Sequence, residues 1–399
     1  MKRRSFIKNS ALASAGAFLI PSFLKPLEAL ANSQLSGHKN LLIIQLSGGN
    51  DGLNTIVPYG MDAYYQKRKT ISIAPNELIK LDDLQGMNPA LASLKEVYDQ
   101  GWMNIVNSVG YPNPDRSHFR SMDIWQTASE SNEFLSTGWL GRYLDSSCAD
   151  CSLPYAGIEV DDTLSLALKG AGKKGIAVKD PAALFRNTRE PFFKDVLSNH
   201  DQHLNEDNLG YLYKTMIETS SSAEYIQNTS KMYNSKFIYP DSPFANQLKT
   251  VSKFINSGLQ TRVYYVSLSG FDTHAGQKAQ QGRLLKQYAE GVSAFIKDLK
   301  QSGKLDDTLV LTFSEFGRRV EQNASNGTDH GTANNVFLFG GKLKKPGILN
   351  EAPDLQNLDN GDLKYQVDFR NLYAEILDKW LNVNSSSILN KKFSGMGFI

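Results

Sequence analysis

"NLLIIQLSGGNDGLN" runs from Asn40 to Asn54 and joins two textures within fifteen residues. Asn40 to Leu46 is a near-continuous apolar run, and Gly48-Gly49-Asn50-Asp51-Gly52 follows at once. Unbroken Val/Ile/Leu content suits a strand covered on both faces, as in a parallel sheet. The tip has an ordinary use, because Gly and Asn-Asp supply positive φ and local hydrogen bonds for a turn. Its sharper use is to hold the Asp51 carboxylate at a strand end, where it can grip a cation.

Three further runs repeat the design. "MNIVNSVG" (103–110) leads into "YPNPDRSHF", "RVYYVSL" (262–268) into "SGFDTH", and "TLVLTF" (308–313) into "SEFGRR". The connectors read as helices. "NPALASLKEVYDQG" places Leu91, Leu94, Val97 and Tyr98 on one stripe. "QQGRLLKQYAEGVSAFIKDLKQSG" does the same with Leu284, Tyr288, Val292, Phe295 and Leu299. Residues 262–313 therefore form a βαβ unit with a right-handed crossover. Between about 180 and 258 the chain is polar and helix-leaning, which predicts a helical insertion or lid. A last amphipathic helix, "RNLYAEILDKWLNV", is expected on an outer face. The pattern predicts a three-layer α/β/α sandwich with a mainly parallel central sheet. In such sheets ligands bind beyond the carboxyl ends of the strands, where all four polar tips fall.

The first 31 residues read as a leader. Arg3-Arg4 followed by "SFIK" and the apolar "ALASAGAFLI" resembles a twin-arginine export signal, with cleavage expected after Ala31. The apolar stretch is short for a bilayer core of ~30 Å. No later segment is apolar enough for a membrane helix. The expected location is periplasmic or secreted, reached through the twin-arginine translocase. The leader carries five basic residues and one acidic, so residues 32–399 hold 38 basic and 40 acidic. That near-neutral balance argues against a nucleic-acid partner. The two cysteines, Cys148 and Cys151 in "CADC", exclude a disulfide-dense scaffold and make weak evidence for zinc. A redox role for this pair is the least favoured reading.

Asp51, Asp272, His274, Glu315, Asp329 and His330 are the candidate ligands. Carboxylates mixed with imidazoles suit zinc, manganese or iron better than calcium. Each has an ordinary alternative: a turn for Asp51, a helix cap for Asp272, a surface loop for Asp329-His330. Glu315 follows an apolar run, so a cation or Arg318 is expected beside it. Ser117, at the start of the helix in "DRSHFRSMDIWQTA", caps it, attacks substrate, or does both. A helix start also favours an anionic phosphate or sulfate. His118 serves as ligand or proton donor, and Arg116 and Arg318 as clamps on nonbridging oxygens.

The quoted motifs, with "GWLGRYLD" and "TFSEFGRRVEQNASNGTDHGTANNVFLFGG", together resemble a large bacterial family of twin-arginine-exported proteins of unknown function. That family is grouped with the alkaline phosphatase and sulfatase superfamily. The resemblance implies an alkaline phosphatase-like fold with a metal site at the strand ends. Under it Asp51 corresponds to the first-strand metal aspartate, Ser117 to the helix-start nucleophile, Asp272 with His274 to the ligand pair, and His330 to the late histidine. Glu315-Phe316 stands where an Asp-His pair is usual, and the Asp272–His274 spacing is shorter than usual. Either His118 or Asp329 compensates, or a single ion binds. Neither cysteine has the sequence context of formylglycine sulfatases, since the chain reads "CSLP".

These readings predict an exported metal-dependent hydrolase of a phosphate or sulfate ester, with a small-molecule or polymer substrate such as a polysaccharide. One or two divalent ions are expected, zinc first, with manganese, iron or calcium as alternatives. The rival is a non-catalytic exported protein that binds glycan or protein and retains a metal site.

Overall fold

Four strands form where the apolar runs predict them: β1 (Asn40–Ser47), β2 (Met103–Gly110), β5 (Val263–Ser269) and β6 (Thr308–Phe313). The computed structural model describes residues 38–146, 154–198 and 208–399. The leader and the two cysteines lie outside the described residues. Short strands β3 (Gly157–Glu159), β4 (Ile176–Ala177), β8 (Gly347–Ile348) and β9 (Val367–Asp368) and a fifth long one, β7 (Asn334–Gly340), complete one sheet. Its order is β8-β2-β7-β6-β1-β5-β3-β4, with β9 against β2.

β1 lies between β5 and β6, parallel to both; Leu41 is in register with Val263 on one side and Leu309 on the other. β7 runs antiparallel to both β6 and β2, so β2 points the same way as β6. The carboxyl ends of β1, β2, β5 and β6 thus share one edge, and the polar tips expected to converge do so.

Alternate residues of β1 enter opposite layers, as the two-residue period of a strand requires. Leu42, Ile44 and Leu46 pack with Tyr288, Val292 and Phe295 of α7 (Gln277–Gln301) and with Leu248 and Phe254 of α6 (Pro243–Asn256). Leu41 and Ile43 pack with Ile124 and Trp125 of α1 (His118–Thr127), Trp139 and Leu140 of α2 (Trp139–Ser146), and Leu372 and Tyr373 of α8 (Phe369–Glu375). Helices cover both faces of a mostly parallel sheet, which is the predicted three-layer α/β/α architecture.

The described residues between 180 and 258 are mostly helical: α3 (Pro181–Asn187), α4 (Pro191–Ser198), α5 (Asn208–Ser230) and α6. Asp298 of α7 is a buried anchor for its end, accepting from Ser235 Oγ, Tyr239 Oη and Ser252 Oγ at 2.9, 2.9 and 2.6 Å. The helix expected over 88–101 is instead a 3₁₀ segment, Pro89–Leu94, running into one short α turn, Lys95–Asp99. The predicted tail helix ends in a π turn over Ile376–Trp380. Among the described residues, no helix is long and apolar enough to cross a membrane.

Candidate functional site

Two close approaches of backbone bring the tips together. Gly48 has φ +114°, and a Cβ there would lie 2.5 Å from the backbone nitrogen of Asp272. Gly49, at φ +72°, would drive a Cβ into the ring of Phe316. Only glycine allows both the conformation and the contact.

Arg318 then ties the tips to one another. Its side chain is shut off from solvent. Nε donates to the Gly49 carbonyl at 2.6 Å, and Nη1 to the Thr328 carbonyl at 2.9 Å. Nη2 reaches the carbonyls of Gly48 and Phe271, and Asp272 Oδ1 at 2.7 Å. The guanidinium expected to clamp substrate oxygens is therefore engaged by the fold. Arg116 is likewise held, by the buried carboxylate of Asp362.

Three imidazoles surround Asp272 Oδ1. His274 Nε2 lies 3.1 Å from it, His330 Nε2 3.2 Å and His118 Nε2 3.5 Å. Each ring is anchored from behind through its other nitrogen. His118 Nδ1 donates to Glu315 Oε1 at 2.9 Å, His274 Nδ1 to Asp329 Oδ1 at 3.2 Å, and His330 Nδ1 to the Arg116 carbonyl at 2.8 Å. An Nδ1–H donated to an oxygen leaves the Nε2 lone pair free, and such carboxylate or carbonyl supports are typical of metal-binding histidines.

Two observations test whether this group suits a cation. His118 Nε2 is buried without a hydrogen-bond partner, a costly arrangement for a polar atom. His274 Nε2 and His330 Nε2 face each other at 3.0 Å, so with both Nδ1 atoms protonated two lone pairs oppose. A divalent ion resolves both. His118, Asp272 and His330 each offer a ligand atom, all within 4.8 Å of one another, and His274 stands against two of them. Imidazole with carboxylate is a donor set for zinc and similar transition ions.

The electrostatics favour an ionised Asp272 and a neutral His330, and shift His118 toward its protonated form. Burial works against ionisation of Asp272, but the hydrogen bond from Arg318 and the adjoining His330 ring outweigh it and hold its carboxyl at about 2. Burial lowers the pKa of His330 below the ordinary value, despite its bond to the Arg116 carbonyl and the nearby Asp272 carboxylate. The hydrogen bond to Glu315 raises that of His118 against the effect of burial. The bond to Asn323 keeps Asp329 below the usual range, with His274 adding to it.

The expected ligands therefore occupy different places. Asp272 and His330 meet, joined by His118 and bordered by His274. Glu315, wholly buried, stands behind His118 and also accepts from Gly48 N at 2.8 Å. Asp329 stands behind His274. Asp51 is not among them: its carboxylate is ion-paired to Arg68 at 2.5 Å, with both side chains fully buried. Ser117 is the N-cap of α1, exposed, and its side chain makes no capping bond.

Three contributors are not among the candidate residues singled out from the sequence. Arg68 lies in a polar "KRKT" segment, and Gln277, which donates to Asp51, opens α7. Phe316 packs tilted against both rings, 4.8 Å from His118 and 4.7 Å from His330 between centroids. The ring of Phe316 also walls a cavity of about 430 Å³, lined further by Tyr111, Trp125, Thr332, Leu363 and Tyr365. The Trp125 indole nitrogen is buried without a hydrogen-bond partner.

The chain belongs to the family described as "Protein of unknown function (DUF1501)", which matches residues 107–391. No curated protein matches it. Similar solved structures include the lipoteichoic acid synthase LtaP from Listeria monocytogenes, at 11% identity and TM-score 0.39, covering 89% of this chain and 76% of that one. The PsFucS1 sulfatase from Pseudoalteromonas sp. is similar at 12% identity and TM-score 0.35, covering 83% and 67%. A protein in the alkaline phosphatase superfamily from Vibrio parahaemolyticus is similar at 12% identity and TM-score 0.32, covering 78% and 62%.

Proposed function

We propose that the protein is a metal-dependent hydrolase of a phosphate or sulfate ester. The observation that carries this reading is the trio of Nε2 atoms converging on Asp272 Oδ1, each ring fixed through Nδ1 by an oxygen. His118, Asp272 and His330, with His274, are the residues that hold the ion. When bound, zinc or a similar divalent ion supplies Lewis-acid stabilisation of negative oxygen.

Ser117 is the nucleophile in this reading. It precedes the ligand His118 and leaves its hydroxyl free of a capping bond. The amide N–H groups opening α1 favour an anionic group beside it. Ser117 Oγ bonds to phosphorus or sulfur as the bond to the alcohol oxygen breaks, and the alcohol leaves with one proton. Water then releases Ser117, so the balance is ester plus water to alcohol plus phosphate or sulfate. The cavity beside Phe316 offers room for the alcohol part. Arg3-Arg4 and the apolar run behind them support export by the twin-arginine route, so the substrate is one met outside the cytoplasm.

The test is turnover of chromogenic phosphate monoesters, phosphate diesters and sulfate esters by zinc-loaded protein, compared with Ser117→Ala. Turnover abolished in Ser117→Ala, with an unchanged circular dichroism spectrum, is the expected result. Metal-bound protein that turns over none of the three classes overturns it and favours the non-catalytic binding role.

A further inference from the structure

Asp51 stands at the end of the first strand, where the fold's resemblance leads one to expect an ion, yet a side chain already fills that role. Arg68 Nη1 lies 2.5 Å from Asp51 Oδ2, and neither side chain is exposed to solvent. Gln277 Nε2 donates to the same oxygen, and Leu53 N to Oδ1 at 3.2 Å. The guanidinium is equally engaged. Nη1 also donates to Asn54 Oδ1 at 2.9 Å, Nη2 to the Arg319 carbonyl at 2.8 Å, and Nε to the Val320 carbonyl at 2.9 Å.

An ion bound by Asp51 would have to displace Arg68 and strand a buried guanidinium, whose charge is permanent. Breaking one partner out of a buried pair is strongly destabilising, because it leaves an uncompensated buried charge. Meanwhile Arg68 does mechanically what a bridging ion would do. It joins the loop after β1 to residues 319 and 320, in the segment that carries Arg318 and leads to His330.

We infer that Arg68 is the resident cation at Asp51, and that the chain binds one divalent ion, on the histidine–Asp272 group, instead of two. This rests on reading that group as a metal centre. It reassigns Asp51 from ligand to ion-pair partner, and it gives Arg68 a task no motif records.

The experiment is zinc stoichiometry by elemental analysis, with affinity from competition against a chromogenic chelator, on the full chain. The unmodified protein is expected to bind one equivalent. Asp51→Asn is expected to keep that equivalent with affinity changed less than about threefold. His330→Ala should lose more than the roughly 10–100-fold that a supporting residue costs. If Asp51→Asn fails to fold because Arg68 is left unpaired, the double variant Asp51→Asn with Arg68→Met removes both charges and is expected to bind one equivalent too. Two equivalents in the unmodified protein, or loss of zinc from a folded Asp51 variant, overturns the inference. No zinc in the unmodified protein overturns the metal-centre reading itself, so the two failures are told apart.

Discussion

Glu315 holds His118 by its Nδ1 at 2.9 Å, and the same carboxylate oxygen receives the backbone N–H of Gly48 at 2.8 Å. One wholly buried oxygen thus fixes both the orientation of an imidazole and the position of the first strand's tip. Glu315→Gln keeps the shape but weakens the acceptor and removes its charge. Zinc affinity should fall roughly 10–100-fold, as for other supporting residues of metal-bound histidines. Chelator competition measures it; affinity unchanged from the unmodified protein would show that His118 needs no such support.

Arg318→Met removes the donor shared by four backbone carbonyls and Asp272. Leaving buried acceptors unpaired is expensive, so unfolding in urea should show a loss of at least about 3 kcal/mol. Arg318→Lys keeps the charge but not the fork, and should fall between the two. Equal stability of all three proteins would mean that the tips are held together by other contacts.

Gly48→Ala places a methyl group against the backbone nitrogen of Asp272 and a side chain at φ +114°. Strain of this kind costs on the order of 1–3 kcal/mol where it can be relieved. Relief here means pushing the Asp272 segment away, so zinc affinity should fall together with the urea midpoint. A drop in stability with affinity intact would place the strain outside the centre.

Glu159 at the end of β3 is buried, and burial raises its pKa from 4.5 to about 7, with the hydrogen bond from Ser165 N working the other way. Between those values the native chain holds a proton that the unfolded chain has released. Stability therefore falls as pH rises from about 4.5 to 7 and is flat above, by up to roughly 3 kcal/mol from this group. Glu159→Gln should remove that slope. Urea midpoints at pH 5 and pH 7.5 decide it, and parallel behaviour of the two proteins would show that Glu159 titrates normally.

The sheet was legible in the sequence because its central strands are covered on both faces and read as unbroken apolar runs. β7 carries the same texture in "NNVFLFG", but nothing local in a buried strand encodes its direction, and it proved to be the antiparallel member. The residues at the strand ends were legible as a set, and their division of labour was not. Whether a carboxylate meets an ion, an imidazole or a guanidinium depends on partners far along the chain. Asp51 meets Arg68, Glu315 meets His118, and Asp329 meets His274. A cation or Arg318 was expected beside Glu315; the His118 ring stands there, and Arg318 closes on Asp272 and four carbonyls. Phe316 is one residue from Glu315 in sequence, yet its ring reaches both His118 and His330.

The web around Arg318 also sets a timetable. Its bond to the Gly49 carbonyl spans 269 positions, and His330 lies later still. Contacts of such separation form only after long loops close, which is slow compared with local structure. On the ribosome, no partial chain ending before residue 330 carries the whole group. Under the proposed metal-centre reading, ion capture would therefore report that synthesis has passed that point and that the tips after β2, β5 and β6 have met. A pulse-labelled chain would acquire its ion as one of the closing events of folding, and loading can serve as a clock for it.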